Sequence, residues 1–333
     1  MNGASEGQPA MKIFLVGEAA THADELVQHL QTPAQLVPLP REAAHDAGHD
    51  ALIGPQDVVV SLRFARRGEA PPFRLLHVPG AGLDGIDTAC LPPGCAVCNV
   101  FEHEIPIAEY VCLAMLEWQV RLRALTASFT AEAWPDLYRD RRPHGELHGK
   151  TLALIGLGRI GRAIAQRAGA FGMRVLAVDG HAPQPPQGLV ERLVAPHDWE
   201  EALEQADFVA ITCPLTPQTR GLFNARSLRR MRRDAVLINV SRAEIADERA
   251  LYEALRDRVI GGAVLDVWYR YPQGAGDRVA PSDQPFLDLP NVIATPHSSA
   301  WTDGLPRRRY AFIARNIDRL VRGEPLQNRV RAP

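Results

Sequence analysis

The sequence predicts an α/β protein built from two domains with parallel sheets. Short apolar runs alternate along most of the chain with stretches of helical patterning, which is typical of parallel strands joined by right-handed helical crossovers. With 333 residues, the chain is longer than one ordinary α/β core requires. Hydrophobic residues make up 46% of the chain and charged residues 23%, as expected for a globular protein.

The first part of the chain contains three apolar runs that are followed by turn residues or by charges. Two longer stretches have helical patterning, and the second lacks glycine, so we expect it to connect the domains. The predicted elements are strands at 12–17, 58–62 and 75–78, and helices at 20–31 and 106–125. A polar loop is predicted around 139–149.

From residue 151 onwards the alternation of strands and helices is more regular. A strand, a glycine-rich turn, a helix and a second strand are predicted within 151–179. Further elements are strands at 207–212, 235–240, 262–267 and 291–294, and helices at 225–231, 247–257 and 306–322. A proline-rich stretch at 271–290 separates two strands, and ordered loops of this length usually have a function.

The segment 151–179 carries the most specific motif of the chain. An apolar run leads into Gly156, Gly158 and Gly161, then a helical stretch and a second apolar run that ends at Asp179. In a dinucleotide-binding turn, the first glycine permits the tight turn, the second lets the pyrophosphate approach the backbone, and the third lets the helix lie close to the sheet. The N-terminus of that helix binds phosphate. The segment therefore predicts a dinucleotide site.

Asp179 also favours NAD over NADP as the cofactor. Its carboxylate can accept hydrogen bonds from an adenosine ribose but would repel a ribose phosphate. The residues that follow, Gly180, His181 and Ala182, supply no arginine to neutralise such a phosphate, although a protonated His181 would do so in part. We therefore predict NAD, with NADP as the less favoured cofactor.

Composition excludes several classes of partner. The formal net charge is −2, and no basic tract indicates a nucleic acid or an anionic membrane. Residues 1–10 are small and polar and lack the features of a signal peptide, and no apolar run is long enough to span a membrane. We therefore expect a cytoplasmic protein whose N-terminal residues 1–10 are disordered.

The cysteines do not indicate a metal site. Cys95 and Cys98 have the spacing of half a zinc knuckle, but no second pair of cysteines or histidines follows them. We expect the five cysteines to be reduced thiols and no metal to be bound.

Three polar residues follow predicted strands in the second half of the chain. Arg242 ends the segment Leu-Ile-Asn-Val-Ser-Arg, Asp266 lies in Leu-Asp-Val-Trp, and His297 ends Thr-Pro-His. Because ligands bind outside the carboxyl ends of strands in open α/β sheets, these residues are expected to meet in one crevice.

The three residue types suit hydride transfer to a carbonyl group beside a carboxylate. The guanidinium of Arg242 can pair with the carboxylate and polarise the carbonyl. The imidazole of His297 can give a proton to the developing alkoxide. Asp266 can accept a hydrogen bond from the carboxamide of a nicotinamide. The pattern therefore predicts Arg242 and His297 as catalytic residues.

Five segments together resemble the D-isomer-specific 2-hydroxyacid dehydrogenases. They are Gly-Leu-Gly-Arg-Ile-Gly, Cys-Pro-Leu-Thr-Pro-Gln-Thr-Arg-Gly, Leu-Ile-Asn-Val-Ser-Arg, Leu-Asp-Val-Trp and Thr-Pro-His. The turn at 78–84, the start of a helix at 107–109 and the ending at 322–328 are also similar to those of the family. The resemblance therefore covers nearly the whole chain.

The resemblance implies two Rossmann-like or flavodoxin-like domains with parallel sheets, in which the coenzyme domain is inserted into the substrate domain. On this basis we expect the substrate domain at residues 11–100 and 301–333, and the NAD-binding domain at residues 101–300. The resemblance also implies a small 2-oxo or 2-hydroxy acid as substrate and a homodimer formed through the NAD-binding domain.

The resemblance further implies which residues contact the ligands. The backbone N–H groups of Ala81 and Gly82 are expected to hold the substrate carboxylate together with Arg242. The residues expected at the cofactor are Gly156, Gly158, Arg159, Ile160, Gly161, Asp179, Cys213, Pro214, Thr219, Val240, Ser241, Asp266 and His297.

The chain departs from the family pattern at one catalytic position. Members commonly place a glutamate five residues after the aspartate of the Leu-Asp-Val motif, where it keeps the catalytic histidine protonated, and here that position is Tyr271. Tyr271 could hydrogen-bond His297 without supplying charge, and we include it among the catalytic residues. Alternatively, Glu102 or Glu104 takes the place of the glutamate, or the enzyme is slow and favours reduction at acidic pH.

His103 and two aromatic residues are further candidates. His103 falls where family members often place an asparagine that faces the substrate, so it is either a substrate contact or a surface histidine between solvated glutamates. We interpret Trp301 and Tyr271 as packing residues, with an aromatic pocket wall as the alternative.

The leading hypothesis is an NAD-dependent dehydrogenase or reductase of a small 2-hydroxy or 2-oxo acid. A regulator that senses NAD(H) and has weak activity is the alternative from another class, and the missing glutamate favours it. A formate-like dehydrogenase is disfavoured because formate dehydrogenases have glutamine where this chain has Tyr271.

Overall fold

The computed structural model describes residues 11–180, 187–274 and 276–331, and the chain divides into two compact units. The terminal unit comprises the chain up to Glu102 and from Thr302 onwards, and the central unit runs from His103 to Trp301. The N-terminal segment that we expect to be disordered, residues 1–10, lies outside the described residues.

The terminal unit is built on a sheet with a flavodoxin-like strand order. Its strands are β1 (Lys12–Val16), β2 (Gln35–Leu39), β3 (Val58–Val60), β4 (Leu75–Val78), β5 (Ala96–Asn99) and, near the end of the chain, β13 (Arg329–Arg331). Among the described residues the order is β13-β5-β4-β3-β1-β2, and every pair is parallel except β13 with β5. Its α-helices are α1 (Ala23–Val27) and α9 (Gly304–Val321).

The central unit is built on a sheet with the Rossmann strand order. Its strands are β6 (Thr151–Ile155), β7 (Arg174–Val178), β8 (Arg192–Val194), β9 (Phe208–Ile211), β10 (Val236–Asn239), β11 (Gly262–Leu265) and β12 (Val292–Ala294). Among the described residues they pair in parallel in the order β12-β11-β10-β9-β6-β7-β8. The order reverses between β6 and β9, which is where ligands bind in such sheets.

Seven described α-helices belong to the central unit. They are α2 (Glu104–Val120), α3 (Leu122–Ser128), α4 (Trp134–Arg139), α5 (Arg159–Ala170), α6 (Glu200–Gln205), α7 (Ala225–Leu228) and α8 (Glu248–Arg256). Across the described part of both units, none of the helices has the length and apolar character needed to span a bilayer.

The two sheets confirm the predicted α/β fold with one Rossmann-like or flavodoxin-like domain inserted into another. Every residue of β6, β9, β10 and β11 is buried. Because both faces of such a parallel sheet are covered, its strands are continuous apolar runs. Such runs can be recognised in the sequence, so these strands were predicted. Among the described strands, β13 alone departs from the expectation of parallel sheets.

The helix predicted over 20–31 is shorter and less regular than expected. A 3₁₀ helix covers Gly17–His22, and α1 ends at Val27. The backbone N–H groups of Gln31 and Thr32 donate to the carboxylate of Asp318 instead of to helical carbonyls. This partner lies far along the chain, so the local pattern could not indicate it.

The helix predicted over 106–125 is broken at Arg121. This residue adopts a left-handed conformation with φ of +56° and separates α2 from α3. The carbonyl of Gln119 accepts a hydrogen bond from the backbone N–H of Gly145 (3.1 Å), a residue of the loop that was predicted after the helix. Tertiary contacts therefore end α2 earlier than its composition suggests.

Four strands were not predicted: β2, β5, β8 and β13. β2 contains Pro38 and lies at the edge of its sheet, where a missing backbone N–H is tolerated. β13 has the sequence Arg-Val-Arg and joins the sheet by pairing with β5. β8 and β13 have three residues each and contain arginine, so neither carries an apolar run that would reveal it, whereas β5 is a buried, mostly apolar run that the sequence analysis did not assign.

Candidate active site

The glycine-rich turn after β6 requires glycine at two of its three positions. Gly156 has φ of +111°, and a Cβ atom there would lie 2.7 Å from the backbone N of Cys213. A Cβ atom on Gly161 would overlap the carbonyl oxygen of Gly156. The turn therefore lies directly against the end of β9, and α5 begins directly against the turn.

The fold does not require glycine at position 158. Its φ is −69°, and an added Cβ atom would meet no atom within 4 Å. Gly158 is the N-cap residue of α5, and no side chain caps this helix. Open space beside the N-terminus of a 12-residue helix fits the pyrophosphate of a dinucleotide, so the turn fits the predicted cofactor.

Asp179 follows β7 and contacts the same turn. Its Oδ2 accepts a hydrogen bond from the backbone N–H of Leu157 at 2.7 Å. An ionised carboxylate has about four acceptor positions, so this contact leaves acceptor capacity for ribose hydroxyls. The neighbouring His181 and Ala182 lie outside the described residues.

Hydrogen bonds fix the loops that follow β9 and β10. Ser241 Oγ donates to the carbonyl of Cys213 (2.5 Å), and Thr219 Oγ1 donates to the carbonyl of Pro214 (2.7 Å). Burial raises the pKa of the Cys213 thiol to about 11, so it is protonated at neutral pH and is not a nucleophile. These predicted cofactor residues shape the loops next to Gly156.

The remaining predicted residues of this region differ in exposure. Arg159 lies at the start of α5 and forms an ion pair with Glu104 at 4.0 Å. Ile160 is half-buried against the core, and the side chain of Val240 is buried within it. A ligand contact by Val240 would therefore involve its backbone.

Arg242 lies just beyond the end of β10. The carbonyl of Arg242 accepts from Asn239 Nδ2 (3.0 Å), and its own Nη1 donates to the carbonyl of Ser241 (2.9 Å). Desolvation lowers the pKa of His297 and the charge of Arg242 lowers it further, whereas for Tyr271 the same charge partly offsets the rise in pKa that burial causes. The charge of Arg242 therefore acts on the two other predicted catalytic residues.

His297 and Tyr271 form a hydrogen-bonded pair. Tyr271 Oη lies 2.8 Å from His297 Nδ1, and the backbone N–H of Trp268 donates to Tyr271 Oη at 3.0 Å. A phenol can donate to or accept from the imidazole, whereas a carboxylate can only accept. The first of the three alternatives for the missing glutamate is therefore the arrangement that the structure contains.

The protonation of this pair follows from its surroundings. Desolvation of the ring lowers the pKa of His297, and the charge of Arg242 lowers it further, while the charge of Asp266 acts in the opposite direction. Partial burial raises the pKa of Tyr271, so it remains a neutral phenol. His297 is consequently held mostly neutral at physiological pH.

Asp266 lies just beyond the end of β11. It has no exposed surface, and its carboxylate accepts hydrogen bonds from Thr295 Oγ1 (2.6 Å) and from the backbone N–H groups of Ser298 (2.8 Å) and Ser299 (3.0 Å). The hydrogen bond from Asp266 to a nicotinamide carboxamide stays a prediction. In this structure Asp266 holds the loop that carries His297.

Two residues of this region were missed by the sequence analysis. Thr295 was noted only as part of a motif, and Tyr110 on α2 was not considered. The hydroxyl oxygens of Tyr110 and Thr295 are 2.6 Å apart. Because the two residues lie 185 positions apart in the sequence, composition and motif gave no signal for the pair.

Ala81 and Gly82 lie in the terminal unit, in the loop that follows β4. The carbonyl of Ala81 accepts from the side chain of Asn99 (2.8 Å), and Val100 N donates to the carbonyl of Gly80 (3.2 Å). The end of β5 therefore fixes this loop at the carboxyl edge of the terminal sheet.

Other candidates are distributed between the units. Glu102 pairs with Arg308 (3.8 Å) within the terminal unit, so it already has an ionic partner. His103 is the N-cap residue of α2 in the central unit and makes no side-chain capping bond. The side chain of Trp301 is 71% exposed, so its interpretation as a packing residue was wrong.

Comparison with known proteins identifies the family. Residues 112–299 match the NAD binding domain of the D-isomer specific 2-hydroxyacid dehydrogenases. The chain is 35% identical to the D-3-phosphoglycerate dehydrogenase of Methanocaldococcus jannaschii over 80% of this chain and 49% of that protein. It is 34% identical to the glycerate dehydrogenase of Methylorubrum extorquens over 82% of this chain and 83% of that protein. The chain thus spans about half the length of the first relative.

Solved structures share the fold. A D-isomer specific 2-hydroxyacid dehydrogenase from Lactobacillus delbrueckii in complex with NAD has a TM-score of 0.74 at 23% identity, covering 97% of this chain and 100% of that chain. An NADPH-dependent glyoxylate/hydroxypyruvate reductase from Sinorhizobium meliloti in complex with NADP and sulfate has a TM-score of 0.73 at 22% identity, covering 97% and 98%. The match to the NAD binding domain extends over more than half of the sequence, and the chain therefore belongs to the D-isomer specific 2-hydroxyacid dehydrogenase family.

Proposed function

We propose that the chain is an NAD-dependent oxidoreductase that interconverts a small 2-hydroxy acid and the corresponding 2-oxo acid. The observation that carries this proposal is the pairing of His297 with Tyr271 under the influence of the charge of Arg242. When bound, the nicotinamide supplies or accepts the hydride. The residues of the chain orient the substrate and move its proton.

Arg242 binds the acid group of the substrate in this proposal. A guanidinium presents parallel N–H donors that match a carboxylate, and its charge polarises the adjacent carbonyl. The assignment of the backbone N–H groups of Ala81 and Gly82 to a substrate carboxylate stays a prediction from the resemblance to the family. Both residues follow a buried parallel strand, where backbone N–H groups of a tight loop are available to a ligand.

His297 handles the proton. Because Nδ1 is engaged by Tyr271, Nε2 is the nitrogen left to face the substrate oxygen. In reduction, the protonated imidazole donates the Nε2 proton to the carbonyl oxygen as it becomes a hydroxyl group. In oxidation, the neutral ring accepts that proton. Tyr271 orients the ring but adds no negative charge.

The proposal is tested by mixing the purified protein with NADH and a panel of 2-oxo acids: glyoxylate, pyruvate, hydroxypyruvate and phenylpyruvate. Oxidation of NADH with at least one of them is expected, because relatives include a glycerate dehydrogenase and a glyoxylate reductase. Tight binding of NADH without turnover of any acid would overturn the proposal in favour of an NAD(H)-sensing regulator. Tyr271 in place of a carboxylate is the observation that favours that second candidate.

NAD rather than NADP is the proposed cofactor. The carboxylate of Asp179 lies 2.7 Å from the N–H of Leu157 in the glycine-rich turn, where it would repel a ribose phosphate. Structures of the same fold have been solved with either cofactor, so the proposal of NAD rests on the charge of Asp179. Titration should give a lower Kd for NADH than for NADPH, and the reverse order would contradict the assignment.

A homodimer formed through the central unit belongs to the same proposal. Large apolar side chains of α3, α4 and the segment between them are between 48% and 61% exposed, an arrangement typical of an interface. They are Leu122, Leu125, Phe129, Trp134 and Tyr138. Analytical ultracentrifugation should show a dimer, and a monomer would contradict this part of the proposal.

The glycine-rich turn allows a matched pair of substitutions. Gly158→Ala should leave the thermal stability unchanged, because its Cβ meets no atom, but should weaken NADH binding about tenfold or more by filling the space for the pyrophosphate. Gly156→Ala should instead lower the unfolding free energy by about 1–3 kcal/mol, because φ is +111° and the Cβ meets Cys213. Thermal denaturation and NADH titration check both. Equal effects of the two substitutions on stability and on NADH binding would contradict the assignment of the space beside Gly158 to the pyrophosphate.

The pH dependence of reduction should follow His297. The proton donor is the protonated ring, and the pKa of His297 is lowered, so the rate of reduction should fall as the pH rises through a value below about 6.5. Tyr271→Glu should move this fall about 1–3 pH units upwards, because a carboxylate stabilises the imidazolium. Tyr271→Gln is the uncharged control and should not. A rate that stays flat up to about pH 8 in the wild type would contradict the prediction.

A further inference from the structure

The backbone of His297 is held in an unfavourable conformation. Its φ is +56°, a left-handed region that residues other than glycine seldom adopt. Such a residue keeps this conformation only when the surrounding structure determines it. The hydrogen bonds of its loop therefore maintain the 2.8 Å contact between His297 Nδ1 and Tyr271 Oη.

Asp266 is the centre of those hydrogen bonds. Its carboxylate is fully buried at the end of β11 and accepts from Thr295 on one side of His297 and from the backbone N–H groups of Ser298 and Ser299 on the other. Trp268 Nε1 also donates to the carbonyl of Thr295 (2.9 Å). The loop is thus fastened on both sides of the catalytic residue.

The directions of the hydrogen bonds around Thr295 can be deduced. The hydroxyl of Thr295 has one hydrogen, and it is directed to the carboxylate of Asp266 at 2.6 Å, since an ionised carboxylate can only accept. In the 2.6 Å contact between Thr295 and Tyr110, the tyrosine must therefore be the donor. Burial raises the pKa of Tyr110, so its hydroxyl keeps the hydrogen that this role requires.

We propose that Tyr110 is a positioning residue for the reaction, and that its hydroxyl fixes the rotamer of Thr295 so that Thr295 and Asp266 together hold His297 in its left-handed conformation. This inference rests on the proposed function, because it assigns Tyr110 to the geometry of the proton donor. Tyr110 lies on α2, so the helix that opens the central unit orients the catalytic loop through a chain of two hydrogen bonds.

A double-mutant cycle with a second, activity-independent readout tests the proposal. Tyr110→Phe should lower kcat about fivefold with the Kd for NADH unchanged, and should speed hydrogen exchange at the backbone N–H groups of Ser298 and Ser299 by a similar factor in the ligand-free protein. Thr295→Val should have at least the same effects. In the double variant, removing the hydroxyl of Tyr110 should add nothing, because its effect passes through Thr295.

Two controls separate positioning from general stability. Thr295→Ser keeps the hydroxyl and should retain the exchange rates and kcat of the wild type. Tyr252→Phe removes a hydroxyl elsewhere in the central unit, where the ring packs edge-on against Phe286 with 5.7 Å between the ring centroids. This substitution should change neither kcat nor the exchange rates.

The proposal is overturned if Tyr110→Phe exchanges and turns over like the wild type, or if the losses of the two single variants simply add. Should the wild type reduce none of the 2-oxo acids, the exchange measurement alone decides the role of Tyr110. Failure of the proposed function and failure of this inference are therefore distinguishable.

Discussion

Replacement of His297 with asparagine is expected to lower kcat for reduction of the preferred 2-oxo acid by about 10²–10⁴. Asparagine can still accept or donate a hydrogen bond toward Tyr271, but it has no proton to give to the carbonyl oxygen at neutral pH. The Kd for NADH should stay within about threefold of the wild-type value, since the glycine-rich turn and Asp179 are unaffected. Steady-state kinetics and a titration with NADH measure the two quantities.

The pH dependence supplies the control for this first prediction. In the wild type the rate should fall as the ring of His297 loses its proton, whereas the residual rate of His297→Asn should not depend on pH in the same range. If His297→Asn retained more than about a tenth of the wild-type kcat, another group would have to supply the proton. His297 would then lose its assigned role.

Replacement of Arg242 with glutamine is expected to lower kcat/KM for the 2-oxo acid by about 10²–10³. The charge that pairs with the substrate carboxylate and polarises its carbonyl is lost, while the side chain keeps a similar length and can still donate a hydrogen bond. Kinetics at varied concentrations of the acid should show a higher KM as well as a lower kcat, because the guanidinium contacts both the ground state and the transition state.

The same substitution should leave a second signature on His297. The charge of Arg242 lowers the pKa of His297, so its removal should raise that pKa and move the pH limit of the residual reduction upwards. Arg242→Lys keeps the charge and serves as the matched control, with an unshifted pH limit but weaker binding of the acid, because an ammonium cannot form the paired contact. An unchanged KM for the acid in Arg242→Gln would contradict the assignment.

The fold and the positions of the main candidate residues at strand ends could be predicted because their causes are local in the sequence. Buried parallel strands are continuous apolar runs, and the required positions of Gly156 and Gly161 follow from the close approach of turn, strand and helix. Arg242 and His297 follow strands of one sheet, so their proximity follows from the topology. The sequence also showed that position 271 lacks a glutamate, and it allowed the prediction that the tyrosine there hydrogen-bonds His297.

What could not be predicted depends on contacts between distant segments. The backbone N–H group of Thr32, after α1, donates to Asp318, and the break between α2 and α3 involves a loop residue, Gly145. The role of Asp266 as the anchor of the catalytic loop required knowledge of where Thr295 and the two serines lie. The sequence gives no indication of the role of Tyr110, because its hydroxyl acts only through Thr295, which lies 185 positions later in the chain.

The claim that Arg242 and His297 act together on one substrate is tested most directly by the turnover of the Arg242→Gln, His297→Asn double variant beside the two single variants. Because both residues would stabilise the same transition state, the loss of kcat/KM in the double variant should be close to that of the more damaging single substitution. Turnover of the 2-oxo acids at the wild-type rate by the double variant would contradict the claim.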